Sequence, residues 1–277
     1  MNVPDEIKID YNRAVEYGIG WVKEYFAKAG KTRAVIGLSG GSDSTLTAYI
    51  CAMALGGQNV LGLIMPTKDS SPADDVSDAE GLAGILGIKT IRTDITAMLD
   101  AVCSGDKEIT EKENRVAYAN LKARLRMVLL YKEANKISGL VAGTDDRSEH
   151  ELGYFTKYGD GGVDINVPEY LYKTQVRALL MHIADKTGED VYRRVAEKLP
   201  SPQLWKGQTA EDEMSMKYED IDRILYYMND YGKKTTREDI AAATGLGTDT
   251  IDRVLGMKNG NMHKNILPPS PGVIDLK

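Results

Sequence analysis

An apolar run, AVIGL (34–38), breaks into the loop SGGSDS (39–44) and passes directly into an apolar, helix-forming segment, TLTAYICAMAL (45–55). A strand delivering the chain to the start of a helix through so short a loop is one unit of the alternation from which helix-covered parallel sheets are built. The loop has its own chemistry. Gly40 and Gly41 can take positive φ and let backbone N–H groups come close to an oxyanion. The helix beginning near Ser44 adds its free N–H groups and the positive end of its dipole. Ser39, Ser42 and Ser44 offer hydroxyl donors. A simple strand-to-helix turn needs one Ser or Asp as N-cap. Two glycines, three serines and an aspartate exceed that need, and the loop reads as a phosphate cradle. It is not a Walker A loop, because the Gly-Lys-[Ser/Thr] that grips a transferred phosphoryl group is missing.

The first half of the chain repeats this pattern. Strands are expected at 33–38, 59–66, 88–93 and 139–144, and helices at 12–29, 44–56, 74–86, 95–102 and 113–137. Strands apolar throughout and separated by helices imply a parallel sheet covered on both faces, with ligands at the carboxyl ends of its strands. The expected class is therefore α/β, a doubly wound, Rossmann-like parallel sheet. Beyond residue 145 the pattern becomes helical, at 172–187, 189–197, 217–231, 236–243 and 248–256, with a proline-bearing loop at 198–213. One domain over residues 1–277, with a helical C-terminal elaboration, is the economical organisation.

Formal net charge is −6, from 35 basic and 41 acidic side chains, which argues against nucleic acid as a partner. An anionic small-molecule substrate would then require local gathering of cations. No apolar run approaches the roughly 20 residues needed to span a bilayer, and the N-terminus MNVPDEIKID lacks an export pattern. Cys51 and Cys103 have no metal-type spacing and read as plain reduced residues, so a cytoplasmic protein is expected.

The loop SGGSDS resembles the SGGxDS loop of the N-type ATP pyrophosphatases, whose fold is of the adenine nucleotide alpha hydrolase type. In that superfamily the loop holds the pyrophosphate leaving group and the attack falls on the α-phosphorus. Later segments narrow the resemblance: NLKARLRM (120–127), GTDDRSE (143–149), GYFTKYGDGG (153–162), LYKTQVR (171–177) and HK (263–264) stand in this order. All are similar to segments of ammonia-dependent NAD+ synthetases, over roughly residues 10–268. That resemblance implies ATP-dependent amidation of deamido-NAD+ by ammonia through an adenylate, with release of AMP and pyrophosphate.

It also implies roles for individual residues. Gly37, Leu38, Ser39, Gly40, Gly41, Ser42, Asp43, Ser44, Thr144, Lys173 and Ser201 match ATP contacts, and Asp43, Glu149 and Ser201 match positions that hold Mg2+. Asn120, Arg124, Tyr154, Lys157, Asp160, Glu213, His263 and Lys264 match contacts to deamido-NAD+. Asp43, Lys173 and Asp160 are the expected catalytic set, Asp160 near the incoming ammonia. Each has a plainer alternative: Arg124 and Arg126 as solvated helix residues, Lys157 and Lys173 as surface lysines, Glu149 as a helix-face acid, His263 as an inert tail residue. Tyr25 and Phe26 read as core or interface aromatics rather than base-stacking ones. The sequence departs from the family pattern at Val116, where an aromatic often packs on the nicotinate ring, at Ala119, often glycine, and at Asn265, often basic.

No nitrilase-like glutaminase segment is present, so free ammonia is the expected direct donor. The family implies a homodimer, for which the long helix 113–137 is the one hint in the sequence. Loops near 66–75, 104–112 and 199–213 are expected to order over bound nucleotide. Two other readings stay open: a related adenylating enzyme such as a GMP synthetase, and a nucleotide sensor without turnover.

Overall fold

The computed structural model describes residues 3–68, 70–106, 109, 113–229 and 236–269. Five strands, β1 (Ala34–Gly37), β2 (Val60–Ile64), β3 (Lys89–Arg92), β4 (Leu140–Gly143) and β5 (Ile165–Asn166), form one sheet in the order β3-β2-β1-β4-β5. Every pairing is parallel, with Ala34 opposite both Val60 and Leu140. The chain runs outward from β1 through β2 to β3, then crosses to β4 on the other side of β1. Order therefore reverses between β1 and β4, and a crevice opens there at the carboxyl ends of the strands.

Helices α1 (Tyr11–Lys28), α2 (Ser42–Leu55), α3 (Ala73–Leu86), α7 (Lys173–Thr187) and α8 (Asp190–Glu197) bury Val22, Phe26, Ile50, Leu82, Leu179 and Val195 against one face. Helices α4 (Thr96–Val102) and α5 (Arg115–Ile137) cover the other with Leu99, Leu129 and Ala134. This is the doubly wound α/β fold expected. Phe26 is core, whereas Tyr25 lies at the surface stacked on Trp21. Cys51 and Cys103 are both free thiols, and burial pushes Cys51 up to about 12.

The helical C-terminal part has its own apolar centre. Leu152 of α6 (Arg147–Leu152) and Met214 of α9 (Ala210–Met214) pack with Ile221, Ile224 and Leu225 of α10 (Tyr218–Asn229). Ile240 of α11 (Arg237–Thr244), with Ile251 and Val254 of α12 (Thr248–Asn261), completes it. Tyr172, the residue before α7, belongs to the same cluster and so joins this part to the sheet.

Three elements differ from the sequence expectation. Helices α6 and α9 and strand β5 have six, five and two residues, too short for a periodic signal. The expected loop 198–213 therefore ends in a helix. Of the helix expected at 217–231, residues 230 and 231 lie outside the described residues, as do 107, 108 and 110–112 of the expected loop 104–112.

Candidate active site

The loop after β1 is shaped by one close approach. Gly40 has φ +78°, and a Cβ there would lie 2.2 Å from the carbonyl oxygen of Asp75 in α3. No larger residue fits. Ser39 Oγ accepts from Gly41 N at 3.2 Å and lies 3.0 Å from Ser44 Oγ, which donates to Gly41 O at 3.1 Å. Ser42 Oγ donates to Asp43 at 3.1 Å. The serines thus brace the loop on itself. Gly41 gives α2 no side-chain cap, so the first N–H groups of that helix are left for an anion.

Beside the loop stands a buried charge cluster. The Lys173 ammonium, 1% exposed, lies 2.9 Å from Asp43, 3.0 Å from Asp146 and 2.7 Å from Glu149. Lysine as the first residue of α7 opposes the helix dipole, and these acids offset it. Burial acts to lower the lysine, but Asp146, Asp43 and Glu149 outweigh it and keep the ammonium charged. Burial likewise pushes Asp146 up to about 7 and Glu149 well above the carboxylate range, against the pull of Lys173. Three acids around one cation favour further positive charge. Their oxygens lie within 4.8 Å of one another, and Asp43 Oδ1 is buried without a hydrogen-bond partner. Hard carboxylate oxygens so placed suit Mg2+, and the residues present fit that ion.

Asp146 is the member that the sequence reading missed. It N-caps α6, accepting from Glu149 N at 2.9 Å. Its signal was available, because an aspartate three residues before a glutamate is a helix-start pattern. Two further buried acids were also missed. Asp145 lines the cavity, where burial, Asp160 and Glu149 raise it well above the carboxylate range. Asp222, in α10, accepts from Ser148 Oγ at 2.5 Å and from Thr174 N and Oγ1 at 2.9 and 2.7 Å. Ser148 Oγ in turn accepts from Lys173 N at 2.9 Å. Asp222 thereby fixes the starts of the two helices that carry Glu149 and Lys173.

Loop and cluster open on one cavity of about 220 Å³, at the crevice between β1 and β4. Gly37, Leu38, Ser39, Asp43, Ser44 and Thr144 line it, with Glu149, Tyr154, Asp160 and Ser201. Apolar walls come from Met65, Leu130 and Val163. Arg126, half-buried rather than solvated, donates to Met65 O at 3.2 Å on the same wall. Gly40, Gly41, Ser42 and Lys173 are not among the residues that line the cavity. Ser201 lines it, but its hydroxyl donates to Gln208 O at 2.6 Å.

The glycine-rich stretch folds as a tight turn on α5. A Cβ at Gly159 would lie 2.9 Å from Ala123 Cβ. Thr156 Oγ1 donates to Asn120 at 2.8 Å, and Thr156 N to Asp160 at 2.8 Å. Arg124 donates to Lys157 O at 3.3 Å, and Lys157 to His263 O at 2.5 Å. Lys264 donates to Gly153 O and Phe155 O at 2.7 and 2.9 Å. Burial lowers Lys264, with Asp160 opposing. Tyr154 OH donates to Glu213 at 2.6 Å, and burial followed by that contact raises the phenol. The residues expected around deamido-NAD+ are thus gathered, with Arg124 and His263 exposed. Val116 is 64% exposed, on the outer face of α5.

A family model described as NAD synthase matches residues 14–268. The NH(3)-dependent NAD(+) synthetase of Hyperthermus butylicus is 44% identical over 265 residues, spanning 96% of this chain and 92% of that protein. Among solved structures, NMN synthetase from Francisella tularensis superposes with TM-score 0.81 at 29% identity, covering 96% of this chain and all (100%) of its own. The NH3-dependent NAD synthetase of Campylobacter jejuni, in complex with nitrate, gives TM-score 0.75 at 26% identity, with the same coverage of 96% and 100%.

Proposed function

The chain belongs to the NAD synthase family and is a ligase that makes NAD+ with ammonia; we propose that it does so by adenylating deamido-NAD+ with ATP. The observation that carries this reading is that Ser39, Asp43 and Ser44 of the SGGSDS loop line one cavity with Glu149, while Lys173 and Asp146 complete the charge cluster beside it.

A carboxylate does not exchange its oxygen for ammonia at neutral pH, because the leaving group is too poor. In the proposed reaction an oxygen of the nicotinate carboxylate forms a bond to the α-phosphorus of ATP. The bond from that phosphorus to the β-bridging oxygen breaks, and pyrophosphate leaves. Ammonia nitrogen then attacks the carboxyl carbon, loses a proton, and AMP departs with the carboxylate oxygen. The chain's part is positioning and charge compensation. The N–H groups at the start of α2 hold the departing pyrophosphate, and the apolar wall of Met65, Leu130 and Val163 takes the adenine. Asp43, Asp146 and Glu149 would hold Mg2+, which supplies Lewis-acid charge beside the phosphates. Lys173 keeps the three acids together and sets their orientation. Asn120, Arg124, Tyr154, Lys157, Glu213, His263 and Lys264 bind the dinucleotide, and Asp160 stands where ammonia arrives.

The same reading includes a homodimer and a cytoplasmic site of action. Exposed Val116 and Val128 on α5 support the first, and light scattering tests it. The free thiols Cys51 and Cys103 agree with the second. Among the described residues no helix is long and apolar enough to cross a membrane.

The Francisella neighbour supports a second reading, in which the acceptor is the mononucleotide. Turnover measured with ATP, Mg2+ and ammonium against each acceptor in turn separates the possibilities. Deamido-NAD+ is expected to give the highest kcat/KM. A preference for nicotinate mononucleotide or xanthosine monophosphate would overturn the assignment.

A further inference from the structure

Lys122 lies outside the cavity lining and, though within the segment NLKARLRM, has no role assigned above, yet it is 0% exposed. It sits on α5 between two segments that border the cavity mouth. One, between β2 and α3, lines the cavity with Pro66 and Ser71. The other, between α8 and α9, lines it with Ser201, Pro202, Gln203 and Leu204. The Lys122 ammonium donates to Ser70 Oγ of the first at 3.2 Å and to Leu204 O of the second at 2.9 Å. It also lies 4.8 Å from the centre of the Tyr118 ring. Ser70 is itself held by Thr67 Oγ1 at 2.8 Å. A buried lysine is expensive to keep unless its donors are used, and here two go to opposite shores of one opening.

We propose that Lys122 is a positioning residue that latches the two shores together over bound nucleotide. The cavity is in keeping with this. At about 220 Å³ it falls below the roughly 300–1,000 Å³ usual for small-molecule sites, so parting of the shores would widen the path for a nucleotide. A second tie, Gln203 Nε2 to Asp75 at 2.5 Å, anchors the α8–α9 segment to α3. Lys122 joins that segment to the β2–α3 loop in a single group. Its function is to slow nucleotide escape and to keep water from the activated carboxyl group until ammonia arrives. The second half of that role rests on the adenylation reading; the first does not.

The test uses Lys122→Met, of similar shape without the donors, Lys122→Arg, and Ser70→Ala, which removes one tie at the edge of the core. Trp205, in the α8–α9 segment beside Leu204, reports ATP dissociation by stopped-flow fluorescence without deamido-NAD+ present. Each variant is first shown to be folded by its unfolding midpoint. Lys122→Met is expected to raise the ATP dissociation rate and the KM for ATP about tenfold, the scale of one charge-assisted hydrogen bond. It should also release AMP in excess of NAD+ when ammonium is limiting, with kcat at saturation within about threefold. Ser70→Ala should give a smaller effect in the same direction, and Lys122→Arg a partial rescue. Folded Lys122→Met with unchanged dissociation and AMP matching NAD+ overturns the latch, as does a fall in kcat alone. Release of ADP by the wild-type protein would count against adenylation, and the dissociation rate would still judge the latch.

Discussion

Lys173 illustrates how one residue can be legible by type and not by environment. The family resemblance implies that it contacts ATP. In the fold its ammonium is enclosed by Asp43, Asp146 and Glu149. Replacing it with methionine leaves three acids facing one another in a buried site. The expected loss of stability is about 3–5 kcal/mol, readable as a lower denaturant midpoint with unchanged slope. A variant as stable as the wild type would mean that the acids are neutral without the lysine. Gly40 was legible for its conformational freedom, but the carbonyl of Asp75 facing it was not. Gly40→Ala must bear both the clash at 2.2 Å and positive φ. Its cost should exceed the roughly 1–2 kcal/mol of left-handed backbone alone, and NAD+ formation should fall with it. Full activity at normal stability would show that the loop can move away from α3.

At the scale of elements, the α/β half could be read directly, because fully buried strands appear as unbroken apolar runs between helices. Asp146 escaped because it adjoins Asp145 just before a helix of only six residues, and Lys122 because its partners are 52 and 82 residues away. Contacts of that kind have no local signature. Asp222 is another: from α10 it holds the starts of α6 and α7, and so the side chains of Glu149 and Lys173. Burial raises its carboxyl to about 6, more than the hydrogen bonds from Ser148 and Thr174 lower it. Folding therefore favours the protonated form. The stabilisation is complete below the unfolded value near 4 and is lost as pH rises through about 6. Asp222→Asn removes this titration. Between pH 4 and 6.5 the stability of the wild type should fall relative to the variant by up to about 3 kcal/mol. Parallel stability profiles would contradict the raised value. The same variant should lower kcat at pH 7.5, since the amide cannot accept all three hydrogen bonds as the carboxylate does.

At the scale of the molecule, the helical part shares Tyr172 and Leu152 with the site helices and is tied to them through Asp222, so we propose that the chain unfolds as one unit. Calorimetric and van't Hoff enthalpies should agree, and two separate transitions would show two domains. The negative net charge and the gathered cations of Arg124, Lys157 and Lys264 are compatible because these groups lie close together, around the backbone of the glycine-rich stretch, in an acidic protein. The account as a whole rests on which phosphorus is attacked. Deamido-NAD+ labelled with oxygen-18 in its carboxylate, turned over with ATP, Mg2+ and ammonium, answers this by mass spectrometry. One labelled oxygen in AMP, none in pyrophosphate, and AMP equal to NAD+ is the expected result; ADP with labelled orthophosphate, or AMP without label, would contradict it.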